Sequence, residues 1–219
     1  MANLQASAII ARQDFLDYME LATTDITRLQ ATWIDRRIEG VTREIQNYCG
    51  RKFKKSGSTR LNVGYYRATE TPYDSKYDGN GTKFLFLKNY PVASVATLLT
   101  TYYTEDGIAD VSTINTDDYR LYGEEGILEL TKAPDVWGRF VEAPQSVWVY
   151  YHAGFTATEM PSDLKDAACE MIKLRWDRKK RTGDLKSESL DGARFDYDLD
   201  KMFPKWVEGI LDSYRRNSL

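Results

Sequence analysis

The stretch Ser146-Val-Trp-Val-Tyr-Tyr-His-Ala-Gly154 is followed closely by Pro161-Ser-Asp-Leu-Lys-Asp-Ala-Ala-Cys-Glu-Met171, and the two follow different periods. The first is β-branched and aromatic and closes on Ala153-Gly154, which reads as a strand. In the second, Pro161 precedes Ser162, a good N-cap, and Asp163 suits the positive end of a helix. Leu164, Ala167, Ala168, Met171, Leu174 and Arg175 or Trp176 then recur at helical spacing. The pattern runs out in Arg178-Lys-Lys-Arg181 before Gly183, with cations where the helix dipole favours them. A strand handing over to a helix here divides the chain into a β section before it and a helical section after it.

Upstream, residues 58–156 carry little helical periodicity and many turn residues. Asp78-Gly-Asn-Gly81 is a turn before Lys83-Phe-Leu-Phe-Leu-Lys88, and Tyr90-Pro91 breaks that run. Val95 to Tyr103 reads as a strand. Asp118-Tyr-Arg-Leu-Tyr122 and Gly126-Ile-Leu-Glu-Leu130 flank Gly123-Glu-Glu and form a hairpin pattern. Further back, Phe15, Leu16 and Met19, with Leu21 beside them, mark a short helix. Ile26, Leu29, Trp33, Ile34, Ile38, Val41, Ile45 and Tyr48 then form a stripe of about six turns, with Thr24 or Asp25 as N-cap and Gly50 as the left-handed residue at its end. Downstream, the polar residues 184–199 read as a long loop. A last helix from about Pro204 carries Trp206, Val207, Ile210, Leu211 and Tyr214. Trp33, Trp176 and Trp206, all at helical spacings, are expected in the core.

The expected fold is therefore α+β. A helical base is built from residues 1–57 and 159–219, the latter with the loop 184–199. An antiparallel sheet or small sandwich, residues 58–158, is inserted between them. The 219 residues are 42% hydrophobic and 29% charged, enough for a sizeable core and against disorder. The net charge of −3 excludes the basic footprint of a dedicated DNA-binding domain. No stretch suits a membrane span, and the N-terminus lacks the basic and apolar regions of a secretory signal.

Chemistry-bearing patterns are scarce. Two cysteines, Cys49 and Cys169, and one histidine, His152, leave little for a disulfide framework or a transition-metal site, so no metal is expected. No G-x-S-x-G accompanies His152, and no Gly-rich phosphate loop is present. Asp74, Asp78 and Asn80 suggest calcium. Counted from Asp78, however, the sixth residue is Lys83 and the twelfth Asn89, against the Gly and Glu the EF-hand loop needs. Asp117, Asp118, Glu124, Glu125 and Glu129 are explained as solvated charges at least as well as by a carboxylate pair. No catalytic residue or cofactor is assigned. The basic run Lys173, Arg175, Arg178, Lys179, Lys180, Arg181 reads as a solvated face or a protein-partner surface. The aromatic residues of the β section, Tyr65, Tyr66, Tyr102, Tyr103, Tyr119, Tyr122, Trp148, Tyr150 and Tyr151, exceed what one sheet's core needs, which places some at an interface. Lys173, Arg178, Lys179, Lys180, Arg181, Tyr102 and Tyr122 are the candidate subunit-interface residues.

Four phrases, in order, resemble one family. Ile45-Gln-Asn-Tyr-Cys-Gly-Arg-Lys-Phe53 is a helix closing in a "YCGR-aromatic" phrase. Phe84-Leu-Phe-Leu-Lys-Asn-Tyr-Pro-Val-Ala-Ser-Val95 is similar to an "L-x-x-x-P-V-x-S-V" strand pair. Val147-Trp-Val-Tyr-Tyr-His-Ala-Gly-Phe155 resembles a "V-x-Y-x-A-G-aromatic" strand. Met160-Pro-Ser-Asp-Leu-Lys-Asp-Ala-Ala-Cys169 resembles a "P-x-D-L-x-x-A" helix start. The family is that of the head-tail connectors, or adaptors, of long-tailed bacteriophages. The resemblance implies a virion structural protein of the neck, assembled in the host cytoplasm. Its partners would be a homo-oligomeric ring, usually of twelve copies, the portal protein, and a tail or stopper protein. Genomic double-stranded DNA would pass through its lumen, and no membrane would be involved. By the same resemblance the C-terminal segment reaches the portal, making Phe203, Trp206, Tyr214, Arg215 and Arg216 candidate portal contacts. A module binding carbohydrate or another surface through its tyrosine-rich sheet is the alternative from another class, and an enzyme is the third reading.

Overall fold

The computed structural model describes residues 8–54, 73–103, 109–132, 139–180, 187–190, 193–196 and 203–215. The chain divides into two compact units, one made of Met1–Gly50 and Met160–Leu219 and the other of Arg51–Glu159.

The first unit holds helices α1 (Arg12–Tyr18), α2 (Arg28–Cys49), α3 (Ser162–Lys180) and α4 (Lys205–Tyr214). The N-cap of α2 is Thr27, and neither Thr24 nor Asp25 fills that role. The Thr27 hydroxyl accepts the Gln30 amide at 3.2 Å, and the Gln30 side chain accepts the Thr27 amide at 2.7 Å. Thr27 wins because a glutamine three residues on completes a capping box. Thr23–Asp25 form a 3-10 turn instead, in which Asp25 accepts the Ala22 amide at 2.8 Å. At the other end Gly50 takes φ 67°, the left-handed conformation that closes the helix. The buried side of α2 is Ile34, Ile38, Val41, Ile45 and Cys49. Leu29 departs from the expected stripe and stands 83% exposed.

Packed against that side are Phe15 and Leu16 of α1, Leu164, Ala167, Ala168, Met171 and Ile172 of α3, and Val207 and Leu211 of α4, all buried. Trp176 is 4% exposed and meets Phe15 and Trp33 edge-on, at 6.5 and 5.4 Å. One charge pair crosses this core: Arg12 Nε donates to Asp35 Oδ1 at 2.8 Å, and Nη2 donates to Oδ2. Asp35 is buried, so the fork satisfies a carboxylate that would otherwise be costly to desolvate. The Asp35 hydrogen bond raises the pKa of Arg12, with burial opposing it. Burial pushes the Tyr18 phenol up to about 12, assisted by its bond to Glu170 and by the nearby charge of Asp166.

The stretch expected as a polar loop, 184–199, contains a hairpin of β8 (Ser187–Leu190) and β9 (Ala193–Asp196). The register pairs Leu190 with Ala193, and the sequence between them, Asp191-Gly192, is a dipeptide that two-residue hairpin loops favour. A polar composition concealed a local turn signal.

The second unit contains β1 (Tyr73–Tyr77), β2 (Phe84–Phe86), β3 (Val92–Tyr103), β4 (Ala109–Thr113), β5 (Tyr119–Tyr122), β6 (Ile127–Leu130) and β7 (Val147–Ala153). They make two antiparallel sheets, ordered β1-β7-β3-β4 and β2-β6-β5. Leu98, Val147, Val149, Tyr151 and Ala153 from one sheet and Leu85, Leu128 and Leu130 from the other share one core. Strict alternation in β7 buries Val147, Val149, Tyr151 and Ala153 and turns Trp148, Tyr150 and His152 outward. The expected hairpin is β5–β6, where Tyr122 pairs with Ile127 and Gly126 takes φ 64°.

A buried polar network joins the sheet to the segment 87–91. The Tyr151 hydroxyl accepts the Asn89 amide at 3.2 Å and lies 3.0 Å from the Tyr77 hydroxyl, which accepts the Lys88 amide at 2.9 Å. Asn89 Oδ1 in turn accepts the Lys52 amide at 2.8 Å. These groups satisfy backbone that leaves the ladder at the cis Tyr90-Pro91 bond. Arg51 is buried beside them, donating to the Tyr90 carbonyl with its guanidinium 3.4 Å above the Tyr90 ring.

Candidate assembly surfaces

The basic residues of α3 are partly absorbed by the fold. Lys173 lies 3.7 Å from Glu170 and 6.0 Å from the Tyr18 ring. Arg175 bonds Glu44 of α2. Lys179 stands 5.1 Å from the Trp33 ring, which Arg37 also approaches at 5.2 Å. Arg178 remains exposed. Arg181 and the side chain of Lys180 lie outside the described residues, as does the side chain of Tyr102. Tyr122 is 37% exposed and donates to Glu129 at 2.8 Å, and Lys83 meets the same carboxylate at 2.6 Å. The bond from Lys83, then that from Tyr122, lowers the Glu129 pKa. Lys173, Lys179 and Tyr122 therefore hold intramolecular contacts along with their surface exposure, which the charge run alone does not disclose.

The C-terminal candidates separate more sharply. Phe203 is 2% exposed, with its ring 5.1 Å edge-on from Tyr48, so it is a core residue and no surface contact. Trp206 is 48% exposed, which removes it from the expected core. The reason is phase: Val207 and Leu211 take the inner side of α4, one residue off Trp206. Tyr214 is half-buried and donates to Asp163 at 2.7 Å. Arg215 is exposed and lies 5.7 Å from the Tyr48 ring, while Arg216 falls outside the described residues.

Sequence reasoning missed Leu29 and Gly40. Gly40 stands inside α2 with no atom within 4 Å of where its Cβ would be, and a glycine in a helix interior was the available signal. On the outward side of β7, Trp148 and Tyr150 stack on each other at 5.4 Å and 27°, with Lys76 4.6 Å from the Trp148 ring.

Among the described residues no group of three or more His, Cys, Asp or Glu side chains is set to hold a metal, and no helix is long and apolar enough to cross a membrane. Both cysteines are buried, and burial pushes the Cys169 thiol up to about 12. Neither thiol should react with a disulfide reagent in the folded protein at neutral pH, and both should react once denaturant is added. Rapid native labelling of Cys169 would contradict this packing.

No curated protein matches the chain. Solved structures that share its fold at low identity include two from gene transfer agent particles. One is from the neck of an empty gene transfer agent particle computed with sixfold symmetry. It is 13% identical, covers 100% of this chain and 95% of that chain, and has a TM-score of 0.57. The other is from the virion of a native gene transfer agent particle, 12% identical over the same shares, with a TM-score of 0.55. The sequence pattern of the head completion proteins matches residues 8–217. A match across nearly the whole chain, with this α+β fold beneath it, makes the chain a member of the head completion protein family.

Proposed function

We propose that this chain is a non-enzymatic structural subunit of the virion neck. It forms a ring between the portal and the tail or a stopper protein and extends the channel through which double-stranded DNA passes. The observation that carries the reading is the family match over residues 8–217. The fold shared with a neck protein from a particle computed with sixfold symmetry supports a cyclic arrangement. In a ring, one face of each subunit meets a different face of the next. The exposed Arg178, with Lys179, Lys173 and Tyr122, is offered to neighbours, and Trp206, Tyr214, Arg215 and Arg216 are offered to the portal. A net charge of −3 suits a wall that DNA passes without counterion-releasing clamps.

Native mass spectrometry of the purified chain and cryo-electron microscopy of virions test the ring. Closed oligomers at the neck are expected, and a monomer found away from the neck would refute it. Portal docking is tested by deleting residues 216–219. The cut spares Asp212, which accepts the Tyr48 hydroxyl at 2.7 Å, and Tyr214, bonded to Asp163. Portal co-assembly should weaken with the circular dichroism unchanged, and undiminished co-assembly would count against the segment.

A further inference from the structure

The helix α2 carries a buried seam and, opposite it, a second line of residues that its own unit meets, among the described residues, at Trp33. The buried seam is Ile34, Ile38, Val41, Ile45 and Cys49. On the opposite side Leu29, Trp33, Arg36, Gly40, Arg43 and Asn47 recur at steps of four and three, the spacing that keeps a line of residues facing a partner helix. Leu29 is 83% exposed, and Arg36, Arg43 and Asn47 are exposed with it. Gly40 lies at the middle of this line in a 22-residue helix, with open space at its Cβ position. A helix-interior glycine weakens its helix relative to alanine, and nothing described inside the subunit uses the freedom it provides. What it does supply is close approach of a second backbone.

Charge indicates the occupant. The seam carries Arg36 and Arg43; its borders carry Arg37, and Lys179 from the end of α3 at Trp33, against Glu39 and Glu44, the latter already paired with Arg175, so the face is net basic. The same unit presents an acidic surface elsewhere: Asp17 and Glu20 at the end of α1, and Asp163 and Asp166 at the start of α3, all exposed. One rigid unit that segregates a basic helix face from an acidic one is complementary to another copy of itself, head to tail. We infer that the Leu29–Gly40–Asn47 seam of α2 is the lateral docking surface for a second copy of this chain, which presents Asp17 and Asp166 to Arg36 and Arg43. This inference rests on the ring reading and specifies which helix face closes the ring.

The test uses the full chain and analytical ultracentrifugation with native mass spectrometry. Gly40→Leu fills open space, so it should melt no lower than wild type while weakening self-association about tenfold or more. Arg36→Glu/Arg43→Glu and Asp17→Lys/Asp166→Lys should each fail to form rings alone, because each has two faces of like sign. An equimolar mixture of the two should form rings with the variants alternating. Wild-type rings accompanied by unimpaired rings of all three variants would overturn this inference and leave the ring reading standing. A wild type that is monomeric in solution and in isolated necks would remove both. Intact rings with lost duplex-DNA binding in Arg36→Glu/Arg43→Glu would assign the seam to nucleic acid and overturn the inference.

Discussion

Replacing Gly154 by alanine is expected to lower the melting temperature of the β unit by about 12–24 °C. Gly154 takes φ 100°, and a Cβ there would lie 2.7 Å from the Phe53 carbonyl oxygen and 2.8 Å from the Lys54 carbonyl. These are backbone atoms, so no side chain can swing aside to relieve the clash. The approach is close because the chain entering the unit pairs with the chain leaving it. Lys54 bridges Phe155 in parallel, the Phe155 amide donates to Phe53 at 2.7 Å, and the Gly154 amide donates to Pro91 at 2.8 Å. Left-handed strain of about 1–3 kcal/mol, plus about 1 kcal/mol for each bond stretched, sums to roughly 3 kcal/mol. For a unit of this size each kcal/mol is about 4–8 °C. Gly81→Ala is the control. Its φ is also positive, at 66°, but its Cβ would meet only the Glu142 side chain, at 3.3 Å, so about 1 kcal/mol should be lost. Calorimetry giving the two variants equal melting temperatures would contradict the close crossing at Gly154.

The second large effect separates two aromatic residues three positions apart on the C-terminal segment. Phe203→Ala removes a ring that is 2% exposed and packed edge-on against Tyr48. It should cost about 3–5 kcal/mol, as large-to-small changes in a packed core do. Trp206→Ala removes a ring that is 48% exposed, and its cost to the isolated subunit should stay under about 1 kcal/mol. Function should show the reverse order. Trp206→Ala is expected to keep its thermal midpoint and lose portal co-assembly, because an exposed tryptophan on a helix is the kind of residue that carries interface energy. Co-sedimentation with portal read beside a thermal melt checks both. If Trp206→Ala unfolds the subunit and Phe203→Ala does not, the phase of α4 is wrong.

Several local elements were legible before any tertiary contact was known. The apolar spacing from Ile34 to Ile45 with Gly50 at its end marks α2, because helix period and left-handed cap are both properties of neighbouring residues. The alternation in Val147–Ala153 marks β7 for the same reason. The errors were also local. The pattern points to Thr24 or Asp25 as the N-cap of α2, beside the apolar Ile26, whereas the capping box forms between Thr27 and Gln30. The polar strands β8 and β9 hide their hairpin from composition, although the dipeptide Asp191-Gly192 between them in sequence is a turn signal. Surface roles were harder still. Phe203 and Trp206 look alike in sequence, and their exposures differ because Phe203, just before α4, packs on Tyr48 of α2 while Trp206 lies on the side of α4 away from its buried Val207 and Leu211.

By itself the sequence determined a chain of four helical stretches around a β region, poor in nucleophiles and metal ligands, together with the four phrases that mark its family. Those properties reside in short-range spacing and composition, which a linear reading contains in full. Only the tertiary structure decided the pairing order β1-β7-β3-β4, the use of Arg12 to hold buried Asp35, and the absorption of Lys173, Arg175 and Lys179 into contacts of their own unit. It also left Leu29 exposed and the space beside Gly40 open on the side of α2 away from its buried seam. Each depends on residues far apart in sequence meeting in space. Whether a charge is satisfied or an apolar face covered is set by those distant neighbours.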